Sequence, residues 1–316
     1  MDKYVFRVTP EPAIFEFAQT VGIQKPFLGQ AHVFNHVYGP GVFQYPAPYD
    51  KDPDAFWYHI NTEPTDPLPK TGIVAYGRRS GMTTAATLIL AFDAIHFLNN
   101  WPITQINMPY FVLAVPTKDQ VAYVVPVIKQ WIDRYVLHSN GVRNINTDVR
   151  CITDRSLEYD FTRDTITVWN VNSPDRKVRI LVKPATVNVF RGCAAQTVIL
   201  DSLAHFNDAK DFYHAILPTK RLLVFSTPVE DPKNFFNWLY HHHKEAKYPN
   251  VWQDRLPTWI ANPDVEQCQG SETQMREAMS KWYVPSPDYF DREFGAKVPK
   301  AFLDYDALEN NAPPIT

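Results

Sequence analysis

The chain carries only 3 cysteines in 316 residues, Cys151, Cys193 and Cys268, and no CxxC pair. That excludes a disulfide framework and a cysteine-based zinc knuckle, and it fits a reduced compartment. It also lacks net positive charge: the formal balance is -3 and the pI is near 6.4. No bulk basic field advertises nucleic acid, so any DNA contact has to come from a local patch or from partner subunits. Nothing reaches the roughly 18 uninterrupted apolar residues of a membrane span. The opening MDKYVFRVTPEP has no apolar core of signal-peptide length. Internal repeats and low-complexity tracts are absent. Present instead is a hydrophobic fraction of 45%, enough for a substantial core in one large α/β domain with an arm. Proline is abundant at 27 residues and clusters in Pro40–Pro69 and Pro285–Pro314, which predicts long shaped connections around a compact centre.

Residues 1 to about 70 read as an arm with one short helix, Pro12–Val21. A strand is expected at Thr71–Tyr76, then a helix at Thr83–Leu98, which is rich in Ala and Leu and free of Gly and Pro. Tyr110–Val115 reads as a strand and Lys118–Leu137 as a helix capped by Thr117, with a kink or break at Pro126. Asp164–Asn170 and Lys177–Lys183 form a hairpin through Asn172–Pro174, and Thr197–Leu200 and Arg221–Phe225 are buried strands. Such alternation predicts a parallel sheet with helices on both faces.

Chemistry concentrates at three points. The strand into Gly77-Arg78-Arg79-Ser80-Gly81-Met82-Thr83-Thr84 and the following helix has the order of a phosphate-binding loop. Backbone N–H groups at a helix start cradle phosphate oxygens, and a hydroxyl there reaches magnesium. The position before Thr83, usually Lys, holds Met82. A Gly-rich strand-to-helix turn without a ligand explains the same residues. Second, the apolar strand Thr197–Leu200 ends in Asp201, where a magnesium-organising carboxylate belongs. Ser202 stands where a water-polarising Glu is usual; the plainer reading of Asp201 is a cap on the next helix. Third, Leu222–Phe225 runs into Ser226-Thr227-Pro228, followed by Asn234-Phe235-Phe236. That turn can bring hydroxyls near a γ-phosphate, or be an ordinary strand exit. Pro257–Pro263 (PTWIANP) and Asp288–Phe294 (DYFDREF) read as structural.

Taken in order, GRRSGMTT, FRGCAAQTVILDSLAHF, LLVFSTP with NFF, TWIANP and FDREFGA resemble the large terminase family of tailed phages and herpes-like viruses over about residues 60 to 300. The resemblance implies a P-loop NTPase-type α/β fold, with an arm at 1–60, a motor domain at 61–300 and a tail or linker at 301–316. It implies ATP at Gly77, Arg78, Arg79, Ser80, Gly81, Met82, Thr83 and Thr84, with Gln30 against adenine, and Mg²⁺ on Thr83 and Asp201. Arg79 or Arg78 would sense the γ-phosphate, Arg79, Asp201 and Ser202 would occupy the catalytic positions, and Ser226, Thr227 and Pro228 would couple phosphate state to movement. It implies double-stranded DNA, a portal protein and a small terminase subunit as partners, and a homo-oligomeric ring on the procapsid inside an infected cell. The family's C-terminal nuclease is expected to be truncated or on another chain.

Met82 and Ser202 remove a charge and a carboxylate on which phosphoryl transfer depends. The chain is then a degenerate ATPase, a deliberately inactivated one, a site in which Arg78, Arg79 or Asp208 stands in, or a scaffold that binds DNA or partners without hydrolysis. Lys and Met have similar unbranched stems, so a lysine at position 82 is expected to fit. Other groups read as ordinary structure. His241-His242-His243 point in different directions on a helix, and Cys193 and Cys268 have no activating neighbour. Trp252, Trp259, Trp282 and Tyr283 are core aromatics by default, and Lys118, Lys129 and Arg134 a solvated helix face.

Overall fold

The computed structural model describes residues 14–24, 26–38, 71–100, 107–139, 157–186, 195–216, 219–231, 233–246, 251–262, 264–265, 271–281 and 286–299. The first described elements are helices α1 (Ile14–Thr20) and α2 (Leu28–Tyr38), strand β1 (Thr71–Tyr76) and helix α3 (Met82–Asn99). There follow β2 (Tyr110–Val115), α4 (Lys118–Ser139), β3 (Leu157–Phe161), β4 (Thr165–Asn170), β5 (Ser173–Pro184) and β6 (Ala195–Asp201). A 3₁₀ turn (Leu203–His205) leads to α5 (Ala209–Ile216), β7 (Arg221–Ser226), α6 (Phe235–Ala246), β8 (Val251–Leu256) and α7 (Thr258–Ala261). The last described elements are α8 (Glu272–Ser280) and α9 (Pro287–Glu293).

The strands form one sheet in the order β3-β4-β5-β2-β6-β7-β1-β8. From β5 to β8 every pairing is parallel, whereas β3–β4 and β4–β5 are antiparallel. The expected parallel sheet is therefore mixed, because the hairpin that follows α4 is added to one end of it. Alternation along each central strand supplies two apolar layers. Val74, Tyr76, Phe111, Leu113, Ile199, Leu223 and Phe225 face the layer under α1–α4. Ile73, Ala75, Val112, Ala114, Val198, Leu200, Leu222 and Val224 face the layer under α5 and α6.

Helix α3 is apolar on nearly every side because it lies between the sheet and the helices α1, α2 and α4. It is long and apolar enough to cross a membrane, but 72% of it is buried inside the protein, the position of a core helix. Its one buried acid, Asp93, is held by Arg221 at 2.9 Å, Thr197 Oγ1 at 2.5 Å and Tyr38 OH at 2.6 Å, which ties α2, α3, β6 and β7 together. Helix α4 runs through Pro126 without a break. Pro126 and Ala122, whose carbonyl loses its partner, are both exposed, so water can replace the missing bond. Arg134 lies on an exposed face of α4, as expected, and also donates to Val21 O at 2.8 Å, closing the end of α1. The arm is thus partly core, with α1 and α2 packed on α3. Phe190-Arg191-Gly192, the three cysteines, Trp282, Tyr283 and the tail 301–316 lie outside the described residues.

Candidate active site

The site forms at the C-terminal edge of the sheet, where β1 enters the Gly77–Gly81 loop and α3 begins. Gly77 is required by packing: a Cβ there would overlap Phe294 O and Thr258 Oγ1. Gly81 sits at φ +82°, a left-handed conformation that favours glycine, and a Cβ would lie 2.8 Å from Gln30 Nε2. Gly81 caps α3 without a side-chain bond, which leaves the first N–H groups of the helix for an anion. Arg79 also has positive φ, 64°.

Distant segments hold the loop from behind. Gly77 N donates to Leu256 O at 3.0 Å and Arg78 N to Glu293 O at 2.6 Å. Thr258 Oγ1 donates to Arg78 O at 2.6 Å and Asn262 Nδ2 to Arg79 O at 2.8 Å. Gln30 Nε2 donates to Gly81 O at 2.9 Å, and Gln30 Oε1 accepts from Phe27 N. TWIAN and DREF, expected to be merely structural, therefore act on the loop directly. Gln30 reaches the loop as well, through a backbone carbonyl. Arg78 Nε lies 2.5 Å from Glu293 Oε2 while its side chain stays 58% exposed, so the guanidinium can reach a ligand from this rest position.

Thr83 Oγ1 donates to Asp201 Oδ2 at 2.8 Å. Tyr76 OH donates to Asp201 Oδ1 at 2.8 Å, and Ser202 Oγ lies 3.3 Å from both that oxygen and Tyr76 OH. Burial raises the Asp201 pKa, an effect opposed by hydrogen bonds from Thr83, Tyr76 and Ser202. Burial and the Asp201 charge push the Tyr76 phenol well above its ordinary value, so it remains a donor. Thr83 and Asp201 offer hard oxygens at a separation close to the roughly 3 Å expected between adjacent ligands in a Mg²⁺ octahedron. The donor set fits that ion.

Strand β7 lies between β1 and β6. Its end is locked to the turn after Asp201: Ser202 N donates to Phe225 O at 2.6 Å, and Ala204 N donates to Ser226 Oγ at 2.9 Å. Asn234 Nδ2 adds a bond to Ala204 O at 2.9 Å. Ser226 and Thr227 are buried, so the Ser226 hydroxyl splints a turn instead of being offered to a ligand. Ser80 is buried too, Thr84 half-buried, and Asp208 exposed at the start of α5. Pro228 is buried beyond the β7 exit.

Met82 departs from expectation. It is 1% exposed and belongs to the apolar layer that contains Val74 and Tyr76. A lysine in its place would carry an ammonium into that layer, so similar stem length does not make the exchange easy. Sequence reasoning missed Tyr76, for which only the strand alternation that puts it on the helical side was a signal; it singled out the segments of Thr258, Asn262 and Glu293 but read them as structural.

The loop, the strand-end carboxylate and the intervening β7 sit at one edge of a mixed α/β sheet with helices on both faces. No protein-family model and no curated protein matches the chain. Among solved structures it is similar to the large terminase ATPase domain of Thermus phage P74-26. That match has a TM-score of 0.55 and 18% identity, over 93% of this chain and 100% of that one. A point mutant of the same domain gives 0.52 and 17%, over 78% and 98%. The HK97 bacteriophage large terminase gives 0.51 and 15%; the match spans 85% of this chain and 55% of that protein. The chain thus has the fold of phage large-terminase ATPase domains.

Proposed function

We propose that the chain is the ATPase domain of a viral DNA-packaging motor, in which ATP and Mg²⁺ bind at Gly77–Thr84 and Asp201 and nucleotide state drives movement of double-stranded DNA into a procapsid. The observation that carries this reading is the 2.8 Å bond from Thr83 Oγ1 to Asp201 Oδ2, across β7, in a terminase-type fold. The N–H groups at the start of α3 receive phosphate oxygens. Arg78 and Arg79 supply positive charge that Met82 does not. Thr83 and Asp201 hold the ion, which when bound neutralises charge on the transferring phosphoryl group. Tyr76 and Ser202 orient the Asp201 carboxylate. The bonds between the β7 end and the Asp201 turn give a route from phosphate state to motion. A ring of copies on a portal, fed by a small terminase subunit, completes this reading.

A second reading is favoured by the buried Met82 and by Ser202 at the carboxylate position: a scaffold of the same fold that binds DNA or a partner and hydrolyses nothing. Calorimetric titration with Mg·ATP, paired with phosphate release, separates the two. Binding with slow hydrolysis, both lost in Asp201→Asn, supports the motor. Absence of binding at millimolar Mg·ATP supports the scaffold and overturns the motor.

A further inference from the structure

His32 and His36 lie one turn apart on α2, so both rings project from the same face of the helix. That face packs toward the edge strand β8, where alternation puts Trp252, Asp254 and Leu256 on one side; Trp252 and Leu256 belong to the layer under α1–α4. Asp254 Oδ2 meets His32 Nε2 directly. The ring of His36 stacks flat on Trp252, with centroids 4.4 Å apart and planes 11° apart, and sits edge-on to His32 at 4.6 Å. One ligand atom from each of His32, His36 and Asp254 falls within 4.8 Å of the others. His32 and His36 are 5% and 4% exposed, and the Asp254 side chain 12%.

The geometry points to a metal site: His32, His36 and Asp254 bind one divalent first-row transition ion, with Zn²⁺ as the reference ion. Two imidazoles and a carboxylate are the borderline donor set that Zn²⁺ takes, and three protein ligands leave a fourth position for water. The hard-oxygen ions Mg²⁺ and Ca²⁺ are disfavoured by the two nitrogens. The aromatic stack on Trp252 fixes the His36 ring before any ion arrives, which lowers the ordering cost of binding. An ordinary buried His–Asp hydrogen bond accounts for His32 and Asp254, but it does not require His36 to bring a third ligand atom to the same point.

The site lies between two of the supports of the Gly77–Gly81 loop. Gln30, two residues before His32, holds Gly81 O, and β8 leads directly into α7, whose Thr258 holds Arg78 O. An ion joining α2 to β8 cross-links both supports. Its role is therefore structural, and its binding does not depend on whether the loop takes ATP.

The test is calorimetric titration of the chelator-stripped chain with Zn²⁺, and visible absorption on titration with Co²⁺. His241→Gln, His242→Gln and His243→Gln are introduced together in all samples to remove the competing histidine run. The expected results are one equivalent bound, intense d–d bands from a low-coordinate Co²⁺ site, and a higher Tm with metal. His36→Gln and Asp254→Asn should each weaken Zn²⁺ by about tenfold or more; Asp254→Asn keeps an acceptor for His32. X-ray absorption of the Zn²⁺ complex should show two imidazoles and an oxygen donor, which tests the ligands even if a variant does not fold. No binding by the folded stripped chain, binding unchanged in both variants, or a shell without two imidazoles would overturn the assignment.

Discussion

Replacement of Met82 by lysine tests the site and the core together. The parent side chain is 1% exposed in the apolar layer between α3 and the sheet. A lysine that keeps this direction must lose its charge or be buried with it. A fully buried lysine titrates down by about 3–5 units, which at about 1.4 kcal/mol per unit is about 4–7 kcal/mol. A lysine that instead swings its ammonium toward the loop empties the volume Met82 filled, at about 2–3 kcal/mol. Either way, nucleotide-free Met82→Lys should lose at least about 2 kcal/mol of the roughly 5–15 kcal/mol that holds a domain together. Met82→Leu, with similar volume, should lose less than about 1.5 kcal/mol. Mg·ATP changes the comparison. In the proposed site, phosphate oxygens at the helix start would give the ammonium a partner outside the apolar layer, so the variant should gain more stability from nucleotide than the parent. At about a hundredfold excess over Kd, binding alone contributes about 2.7 kcal/mol. Urea denaturation of the parent and both variants, with and without Mg·ATP, reads all of these quantities. A variant as stable as the parent without nucleotide would refute the burial argument. A folded variant with no response to Mg·ATP would refute the phosphate-loop reading. Hydrolysis should need Ser202→Glu as well, because charge stabilisation and water positioning act together.

Gly77→Ala should weaken nucleotide binding and stability together, since its Cβ meets the Phe294 carbonyl and Thr258 hydroxyl that back the loop; calorimetry and a melting curve on the same sample check this. Arg221→Met should cost about 3 kcal/mol or more in urea denaturation, because it strands the buried Asp93 carboxylate beside Tyr38 and Thr197. Stability of the metal-free chain should fall on acidification. Burial and neighbouring His32 hold His36 down to about 3 from an ordinary 6.5, so the unfolded chain takes the proton first. The loss begins as pH drops through about 6.5 and approaches about 1.4 kcal/mol per pH unit until His36 titrates in the folded state. Denaturation midpoints at about pH 7 and pH 5 read it, and His36→Phe should reduce the slope.

The parts legible in the sequence share a physical reason. Strands β1, β2, β6 and β7 are buried on both faces and read as short apolar runs, and α3 is apolar all round because it is enclosed. Edges do not announce themselves in this way. β3 exposes Glu158 and Asp160, and β8 mixes Gln253, Asp254 and Arg255 with Trp252, so neither offers an apolar run or a clean alternation. Helix α2 was hidden for the opposite reason: Leu28–Val37 are all buried, but Gln30, His32, Asn35 and His36 interrupt the apolar period. The burial of Gln30, His32 and His36 is tolerable only because Gly81 O, Asp254 and Trp252 receive them, and those partners lie far along the chain. At the site, Gly77, Gly81, Thr83 and Asp201 carry local signals. Tyr76, 125 residues from Asp201, carries only the alternation of its own strand.

The same distance dependence bears on how the site works. A glycine-containing turn of eight residues has many conformations. Here one of them is imposed from outside, by Gln30 on α2, Leu256 at the end of β8, Thr258 on α7, Asn262 beyond it and Glu293 on α9. The loop's charge is tied to the same supports, because Glu293 holds the Arg78 side chain as well as its amide. A phosphate that draws Arg78 inward must take it from Glu293, and so loosens α9 from the loop. Glu293→Gln separates these effects, since it keeps the backbone bond to Arg78 and removes the ion pair. If Arg78 serves phosphate, this variant should bind Mg·ATP more tightly than the parent, since the guanidinium no longer has to leave a carboxylate. Unchanged or weaker binding, with the melting temperature preserved, would mean that Arg78 is a structural clasp and that Arg79 alone is left to meet the nucleotide.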